Sequence, residues 1–434
     1  MHFTRPTIAL AFFAGVLQAQ QPVQTPRADS ISRLGAPQPF DSARLSRREA
    51  IGLALGHNPQ LEIARAQIGE AKARKVEAVS IPDPAATASL DQQRGIFRSG
   101  AGGEKNVGVG VLVPFPNKLR LQGKIAQSDV QSAELSYQLQ RQLVAAQTAE
   151  AYDSLLVALK HRADLTDAET LARDFLKRTE ARFNAGTAAK LDVIKATVEV
   201  AQASNQLLTN ALDVQNAGSA LDRLLGQPIG VPVLPTDSLV VPDSLPSLDR
   251  LVVVGLEARP ELASIAAQRQ GARAATALAK QFWLPDLTLS VNRDYNLPDP
   301  ALFSTGLAFP LPIFFWQHTR GQIAESSFRE RELAASERDL RAAVTQDLRD
   351  SYATARIALQ QAVFIRDQLL PSARAAYRAA SASYTLGGSS ALEVLDARRT
   401  LLDAESQYAD ALAAANISRY ELERAVSVPL DTIH

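Results

Sequence analysis

The 434-residue chain contains no cysteine, which excludes disulfide bonds, thiolate metal sites and cysteine nucleophiles. Its 46 basic residues balance its 46 acidic residues, so no net charge attracts nucleic acid. Phosphate-binding loops, serine-hydrolase elbows and zinc-protease motifs are also absent from the sequence. The five histidines lack the spacing of a metal site: His2, His57, His161, His318 and His434. We therefore expect no enzyme activity, no cofactor and no nucleic-acid partner.

Long apolar runs are lacking as well, since no segment offers the roughly 18 uninterrupted apolar residues of a membrane-spanning helix. The apolar run at residues 8–17 is shorter, follows Arg5, and is followed by the small Ala19 and a polar stretch. That order is typical of a signal peptide, so we predict export and removal of residues 1–19. Residues 20–40 are expected to form an extended mature N-terminus. If the mature chain enters a membrane, we expect it to use strands.

Three short motifs occur twice, at nearly the same separation. The pattern Asn58-Pro59-Gln60-Leu61 returns as Arg259-Pro260-Glu261-Leu262, residues 123–128 (GKIAQS) return at 321–326 (GQIAES), and Phe183-Asn184-Ala185-Gly186 returns as Tyr384-Thr385-Leu386-Gly387. The motifs are separated by 198 to 201 residues. The sequence therefore predicts a duplicated unit. Its repeats span residues 41–226 and 247–428, with a proline-rich linker at 227–246 and a tail at 429–434.

Each repeat predicts a helix, two strands, a very long helix and a final helix. The first helices, 42–80 and 247–282, end before prolines, and the long helices, 119–185 and 320–386, end at Gly186 and Gly387-Gly388. A 65-residue helix is a rod of roughly 100 Å, which needs neighbouring helices to cover its apolar stripe. A soluble coiled coil is the alternative. Within the second long helix we predict a kink at Pro371.

Four segments alternate apolar residues with small or polar ones, at residues 85–92, 106–113, 287–292 and 303–309. Such alternation is typical of a lipid-facing barrel with a wet lumen, although a soluble sandwich strand looks the same locally. Four strands cannot close a barrel, and lipid does not tolerate open strand edges. We therefore expect an oligomer, in which three chains supply twelve strands. The polar loops 95–104 and 296–301 would form its external tips.

The repeated order of elements resembles the TolC-like outer-membrane efflux factors over nearly the whole mature chain. The most specific match is the turn motif, an aromatic residue and a glycine followed by an acid and two apolar residues: Phe183, Gly186 and Asp192-Val193-Ile194, then Tyr384, Gly387 and Glu393-Val394-Leu395. The resemblance implies a mainly α-helical homotrimer with a twelve-stranded β-barrel on a helical barrel, in the outer membrane of a Gram-negative-type bacterium.

The resemblance also implies a function, that of a passive exit duct in a tripartite efflux pump. A periplasmic adaptor protein would dock at the turns formed by Gly186, Gly387 and Gly388. An inner-membrane transporter of the RND type would supply the energy. A periplasmic helical scaffold without a pore is the alternative from another class.

Four residues match the gate of that family. Tyr384 matches a tyrosine that bonds to the first-repeat acid, here Asp192, and Glu393 and Asp396 match acids that ring the closed pore. Independently, Glu393 and Asp396 are three residues apart on one helix face, and a trimer would place six such carboxylates around its axis, as cation channels do. The alternative is a solvated face with Asp396 paired to Arg399. Ser389 stands where the best-known member has arginine, which puts an arginine gate lock in question.

The strand-to-helix junctions point to a cargo. Residues 309–315 (FPLPIFF) and 320–324, with a similar stretch at 113–118, look like the branch that serves heavy-metal-cation exporters. The resemblance implies metal cations as cargo, with drug efflux and type I protein secretion as alternatives.

Overall fold

The computed structural model describes residues 44–91, 104–242, 244–281, 283–294, 303–311, 315–386 and 388–433. The predicted signal peptide, the predicted extended N-terminus, the loop 296–301, Gly387 and all but the last residue of the loop 95–104 lie outside the described residues.

The same order of elements occurs in both halves of the chain. In the first half, the helices are α1 (Arg47–His57), α2 (Pro59–Val79), α3 (Pro116–Asn184) and α4 (Lys190–Leu225). In the second half, they are α5 (Leu248–Ala258), α6 (Pro260–Lys280), α7 (Phe315–Phe364), α8 (Leu370–Thr385) and α9 (Ala391–Val426), with a 3-10 turn at Leu430–Thr432. The boundaries that we predict for the repeats remain a prediction.

The single helices predicted over residues 42–80 and 247–282 are wrong, because each is two helices. The break falls at Asn58 and at Arg259, whose ψ angles of 125° and 119° are extended. Each precedes a proline, and a residue before proline is disfavoured in the helical region because the proline ring clashes with its backbone. The side chain of Asn58 then accepts a hydrogen bond from the Gln60 amide at 2.9 Å and caps α2.

The very long helix of the first half is confirmed, with 69 residues in α3. Its counterpart is interrupted by a π-helical segment, Ile365–Leu369, between α7 and α8. Pro371 follows this segment at the start of α8, and it lacks the amide hydrogen that would continue the helical hydrogen-bond ladder. The π-helical turn widens the hydrogen-bond ladder where the ring would otherwise meet a carbonyl. The kink that we expect at Pro371 remains a prediction.

The four predicted strands are confirmed and form one antiparallel sheet, in which each of the four pairs with the next one along the chain. Their bounds are Ala85–Asp91 for β2, Glu104–Val113 for β3, Leu287–Asp294 for β5 and Ser304–Ala308 for β6. Within the described residues, β2 and β6 each pair on one side only. A separate parallel pair joins β1 (Arg44–Leu45) to β4 (Leu234–Pro235), the short strand in the linker.

The pairing register sorts the side chains of the sheet onto two faces. Val109 lies opposite Val291, and Leu289 lies opposite both Val111 and Leu307, so one face is mainly apolar. The polar residues Arg293 and Thr305 also lie on it. Apart from Leu112, the residues of the other face are small or polar. They are two alanines together with Thr87, Ser89, Asn106, Gly108, Gly110, Thr288, Ser290, Asn292, Ser304 and Gly306. The predicted alternation is therefore confirmed along most of β3 and β5, with Arg293 and, on β6, Thr305 as exceptions on the apolar face.

The helices form a layer with α3 near its centre. Towards the sheet, α3 packs between α2 and α6, and α6 packs against α7. Towards the far end, α3 packs between α4 and α9, and α9 packs against α7 and α8. The helices α2 and α4 therefore form one edge of the layer, and α7 and α8 form the other. None of the helices in the described ranges is long and apolar enough to cross a bilayer.

Candidate gate and docking site at the helix turns

The two turns at the far end of the layer are built alike. After α3, Gly186 has a φ of +75°, and its amide donates to the Phe183 carbonyl at 2.9 Å. This left-handed conformation ends the helix and favours glycine. After α8, the Gly388 amide donates to the Ser383 carbonyl at 2.8 Å, and the Ser389 hydroxyl donates to the Ala380 carbonyl at 3.1 Å. Each turn therefore closes by hydrogen bonds to the helix that precedes it.

The predicted gate acids lie in the first two turns of the helices that follow. The Asp192 carboxylate accepts a hydrogen bond from the Ala189 amide at 3.3 Å, at the start of α4. The Glu393 amide donates to the Ser390 hydroxyl at 3.3 Å, at the start of α9. The positive end of a helix dipole stabilises acids at these positions. Asp192 and Glu393 therefore also have a local role in starting their helices.

Glu393 and Asp396 are exposed to solvent. Within the residues that the structure describes, neither carboxylate forms an ion pair. The alternative pairing of Asp396 with Arg399 is wrong, since the Arg399 guanidinium lies 3.5 Å from the Glu199 carboxylate instead. Two uncompensated acids on one exposed helix face are available to attract a cation.

Tyr384 is buried, with 7% of its surface exposed, between α3, α8 and α9. Its ring lies 5.5 Å from the ring of Phe175 on α3 and packs in one cluster with Ala391 and Val394 on α9. The expected bond from Tyr384 to Asp192 is wrong. The Tyr384 hydroxyl has no hydrogen-bond partner among the described residues.

Sequence reasoning missed Arg182, which lies in the last turn of α3. Its Nη1 donates to the Tyr384 carbonyl oxygen at 3.0 Å, and its guanidinium carbon lies 4.3 Å from the centre of the Tyr384 ring. The two residues are 202 positions apart, so no local pattern connects them. Comparison of the two repeats could have drawn attention to Arg182. The corresponding residue in the second turn motif is Ser383, which is uncharged, so the arginine is specific to the first repeat.

Sequence reasoning also missed a buried charge cluster between α3, α4 and α9. Arg398 is 2% exposed and Glu199 is 6% exposed, with Arg398 Nη1 at 3.6 Å from Glu199 Oε1. Nη2 of Arg398 donates to the Ala168 carbonyl of α3. Burial lowers the pKa of Arg398, and the nearby Glu199 carboxylate opposes that shift. The cluster therefore fastens the second-half helix α9 to the first half of the chain, above the turns.

Acids, bases and histidine also line a cleft of about 460 Å³ around this cluster. In the described ranges, no group of three or more histidine, aspartate or glutamate residues is placed to hold a metal ion.

The profile of the family described as "Outer membrane efflux protein" matches residues 50–227 and 251–427. The chain belongs to this outer membrane efflux protein family. Members of this family are transport proteins, and this chain is accordingly an efflux channel protein of the outer membrane. The profile matches once in each half of the chain.

Individual relatives agree with the family membership. The cobalt-zinc-cadmium resistance protein CzcC of Cupriavidus metallidurans is 26% identical over 86% of this chain and 89% of its own length. The structure of the outer-membrane channel OprN superposes with a TM-score of 0.74 at 18% identity, covering 89% of this chain and 94% of OprN. The structure of CusC also superposes with a TM-score of 0.74, at 17% sequence identity, and covers 91% of this chain and 95% of the CusC chain. These structures share the fold of this efflux protein.

Proposed function

We propose that three copies of this outer membrane efflux protein form a passive exit duct, which a periplasmic adaptor protein opens at the Gly186 and Gly387-Gly388 turns. The observation that carries the proposal is that, within the described residues, one chain ends in unpaired edges at two levels, in its sheet and in its helical layer. Both sets of edges need partners, and further copies of the chain supply partners of the right kind.

The sheet edges belong to β2 and β6, and the sheet has an apolar face. In a bilayer, unpaired strand edges carry a large desolvation cost, because no water is present to satisfy their backbone groups. Pairing β6 of one copy with β2 of the next removes both edges. The apolar face of the strands would then meet lipid, and the polar face would line the pore.

The helical edges carry apolar residues that a single chain leaves exposed. On α4 these residues occupy the two apolar positions of a seven-residue (heptad) repeat, three and four residues apart in turn: Leu191, Ile194, Val198, Leu208 and Leu212. On α7, Ile357 and Phe364 are also exposed and lie seven residues apart. A stripe with this spacing packs well against another helix, so α4 of one copy is suited to α7 of a neighbour.

We propose three copies because a barrel of about twelve strands suits an exit duct. Two copies would supply about eight strands, and a barrel of that size is filled by its own side chains. Three copies would supply about twelve strands, which leaves room for water and cargo between the filled eight-stranded barrels and the wide sixteen-stranded porins. The helical layers of three copies would continue this wall into the periplasm.

Glu393 and Asp396 would ring the narrow end of the duct, with Tyr384 and Asp192 behind them. Adaptor binding at the turns would shift the tip from closed to open by stabilising the open arrangement. An inner-membrane transporter of the RND type would provide the energy, since a passive duct has no energy source of its own.

Divalent metal cations are the proposed cargo. The relative CzcC, named for cobalt, zinc and cadmium resistance, supports this choice. Uncompensated acids at the tip fit a cation, and drug efflux and polypeptide secretion are the alternatives.

Planar-bilayer recording of the purified full-length protein tests the proposal. We expect discrete conductance steps with cation preference, and replacing both Glu393 and Asp396 with alanine should remove most of that preference and weaken block by multivalent cations. The matched control replaces Asp339 and Asp350, two exposed acids on α7, and should retain the preference. Correctly folded protein without conductance steps would favour the periplasmic scaffold instead.

A further inference from the structure

One side chain joins the two turn regions, and it comes from the first half of the chain. Arg182 extends from the last turn of α3 to the last turn of α8. It donates to the Tyr384 carbonyl at 3.0 Å and covers the face of the Tyr384 ring at 4.3 Å. A charged donor makes a stronger hydrogen bond than a neutral one, and stacking on the ring adds a cation–π contact.

The carbonyl that Arg182 reaches belongs to a helix end without a cation of its own. The last turn of α8 contains no basic residue, whereas the last turn of α3 contains Arg182 itself. Unpaired carbonyls and the negative dipole end favour a cation at a helix C-terminus. Arg182 therefore caps a helix of the other repeat.

Tyr384 also contacts α9, the helix that carries Glu393 and Asp396. Its ring packs against Ala391 and Val394 in the first turn of α9, next to Glu393. A movement of Glu393 and Asp396 relative to α3 at the turns would have to separate Arg182 from Tyr384, or Tyr384 from α9. Further from the turns, Arg398 holds α9 to α3 through the Ala168 carbonyl, so the position of the acids depends on Arg182 at the tip and on Arg398 behind it.

Among the described residues, the other polar groups at the turns bond within their own repeat. Ser389 bonds back to α8, and Asp192 bonds to the start of its own helix. The Tyr384 hydroxyl is buried without a partner among the described residues. The face and the carbonyl of Tyr384 therefore make the connection, and its hydroxyl does not.

We infer that Arg182 is the positioning residue that holds the two turn regions together and keeps the tip closed. This role rests on the proposed duct and gate. It makes Tyr384 important through its ring, and it gives the tip a closing contact without an arginine at position 389.

The test is the open fraction of single channels in planar bilayers, measured on full-length trimers. Arg182→Ala should raise the open fraction by at least about tenfold, because it removes a charge-assisted hydrogen bond and a cation–π contact from each chain. Tyr384→Leu should have a similar effect, and the double variant should add little to either one. Arg182→Lys should lie between wild type and Arg182→Ala, since it retains the charge without the planar guanidinium.

Two further variants serve as controls. They test whether the opening is caused by loss of the contact between Arg182 and the Tyr384 ring, rather than by loss of the Tyr384 hydroxyl or of any nearby positive charge. Tyr384→Phe retains the ring and should behave as wild type. Arg178→Ala removes an exposed arginine one turn earlier on α3 and should also behave as wild type. If Arg182→Ala does not assemble, Arg182→Gln replaces it, with the same expected opening.

The outcomes are distinguishable. A normal open fraction in Arg182→Ala, or an opened channel in Tyr384→Phe, would overturn the role of Arg182 and leave the duct intact. Absence of conductance from wild type and every variant would remove the duct, and the role of Arg182 with it.

Discussion

At the scale of single residues, the end of α4 depends on Gly226. Its φ of +71° lies in the left-handed region, and a Cβ atom there would overlap the carbonyl oxygen of His57 on α1. The conformation and the close approach both require glycine. The corresponding position in the second half is Ser427, with a φ of 65°. The helix end is thus kept in both repeats, while the close contact accounts for the glycine in the first.

We predict that Gly226→Ala lowers the free energy of unfolding by at least about 1–2 kcal/mol, from the left-handed backbone alone. Gly218→Ala is the matched control, because Gly218 lies within α4 with open space around its Cα. Alanine is the better helix former, so this change should raise stability by up to about 1 kcal/mol. Denaturant unfolding in detergent measures both. Equal effects of the two substitutions would contradict the requirement for glycine at position 226.

Residues that act locally were the predictable ones. Gly186 and the prolines that break helices reveal themselves because their backbone restrictions operate within a few positions. Arg182 and Arg398 could not be predicted in this way, since their partners lie 202 and 230 residues away along the chain. The expected bond between Tyr384 and Asp192 failed for the same reason, because it depends on the packing of three helices.

At the scale of elements, the exposed stripe of α4 makes a prediction about assembly. Leu208 is 74% exposed in one chain, so an aspartate there should leave the chain folded. In the assembly it would place a charge in an apolar seam between copies, which is unfavourable without a partner charge. We predict that Leu208→Asp prevents or weakens trimer formation, as measured by light scattering in detergent.

Ile229→Asp is the matched control, because Ile229 is 70% exposed but lies in the linker, off the stripe. It should assemble normally. An intact Leu208→Asp trimer would show that α4 does not form the seam.

The elements differ in how much of them the sequence could predict. Strands followed from alternation, and α3 from 69 residues dominated by helix-forming side chains. The breaks at Asn58 and Arg259 directly precede Pro59 and Pro260, so the residue-before-proline rule marks both positions in the sequence, although we predicted one helix across each. The π-helical segment Ile365–Leu369 was missed because Pro371 indicates that a helix must adjust and does not specify how.

At the scale of the whole molecule, duplication and open edges belong together. Each repeat supplies two strands to the sheet, and the helices of the two repeats lie side by side in one layer, joined where α3 packs against α6 and α9. The sheet and the layer end on both sides in elements that lack a second neighbour in the described chain. A single copy is therefore an open segment of a wall, and other copies close it.

Native mass spectrometry of the wild-type protein, purified in detergent, measures how many copies share one wall. We predict a complex of three mature chains that remains intact in detergent. A mass of one chain, for protein that is folded and stays in solution after the detergent is removed, would contradict the shared wall and the duct that depends on it.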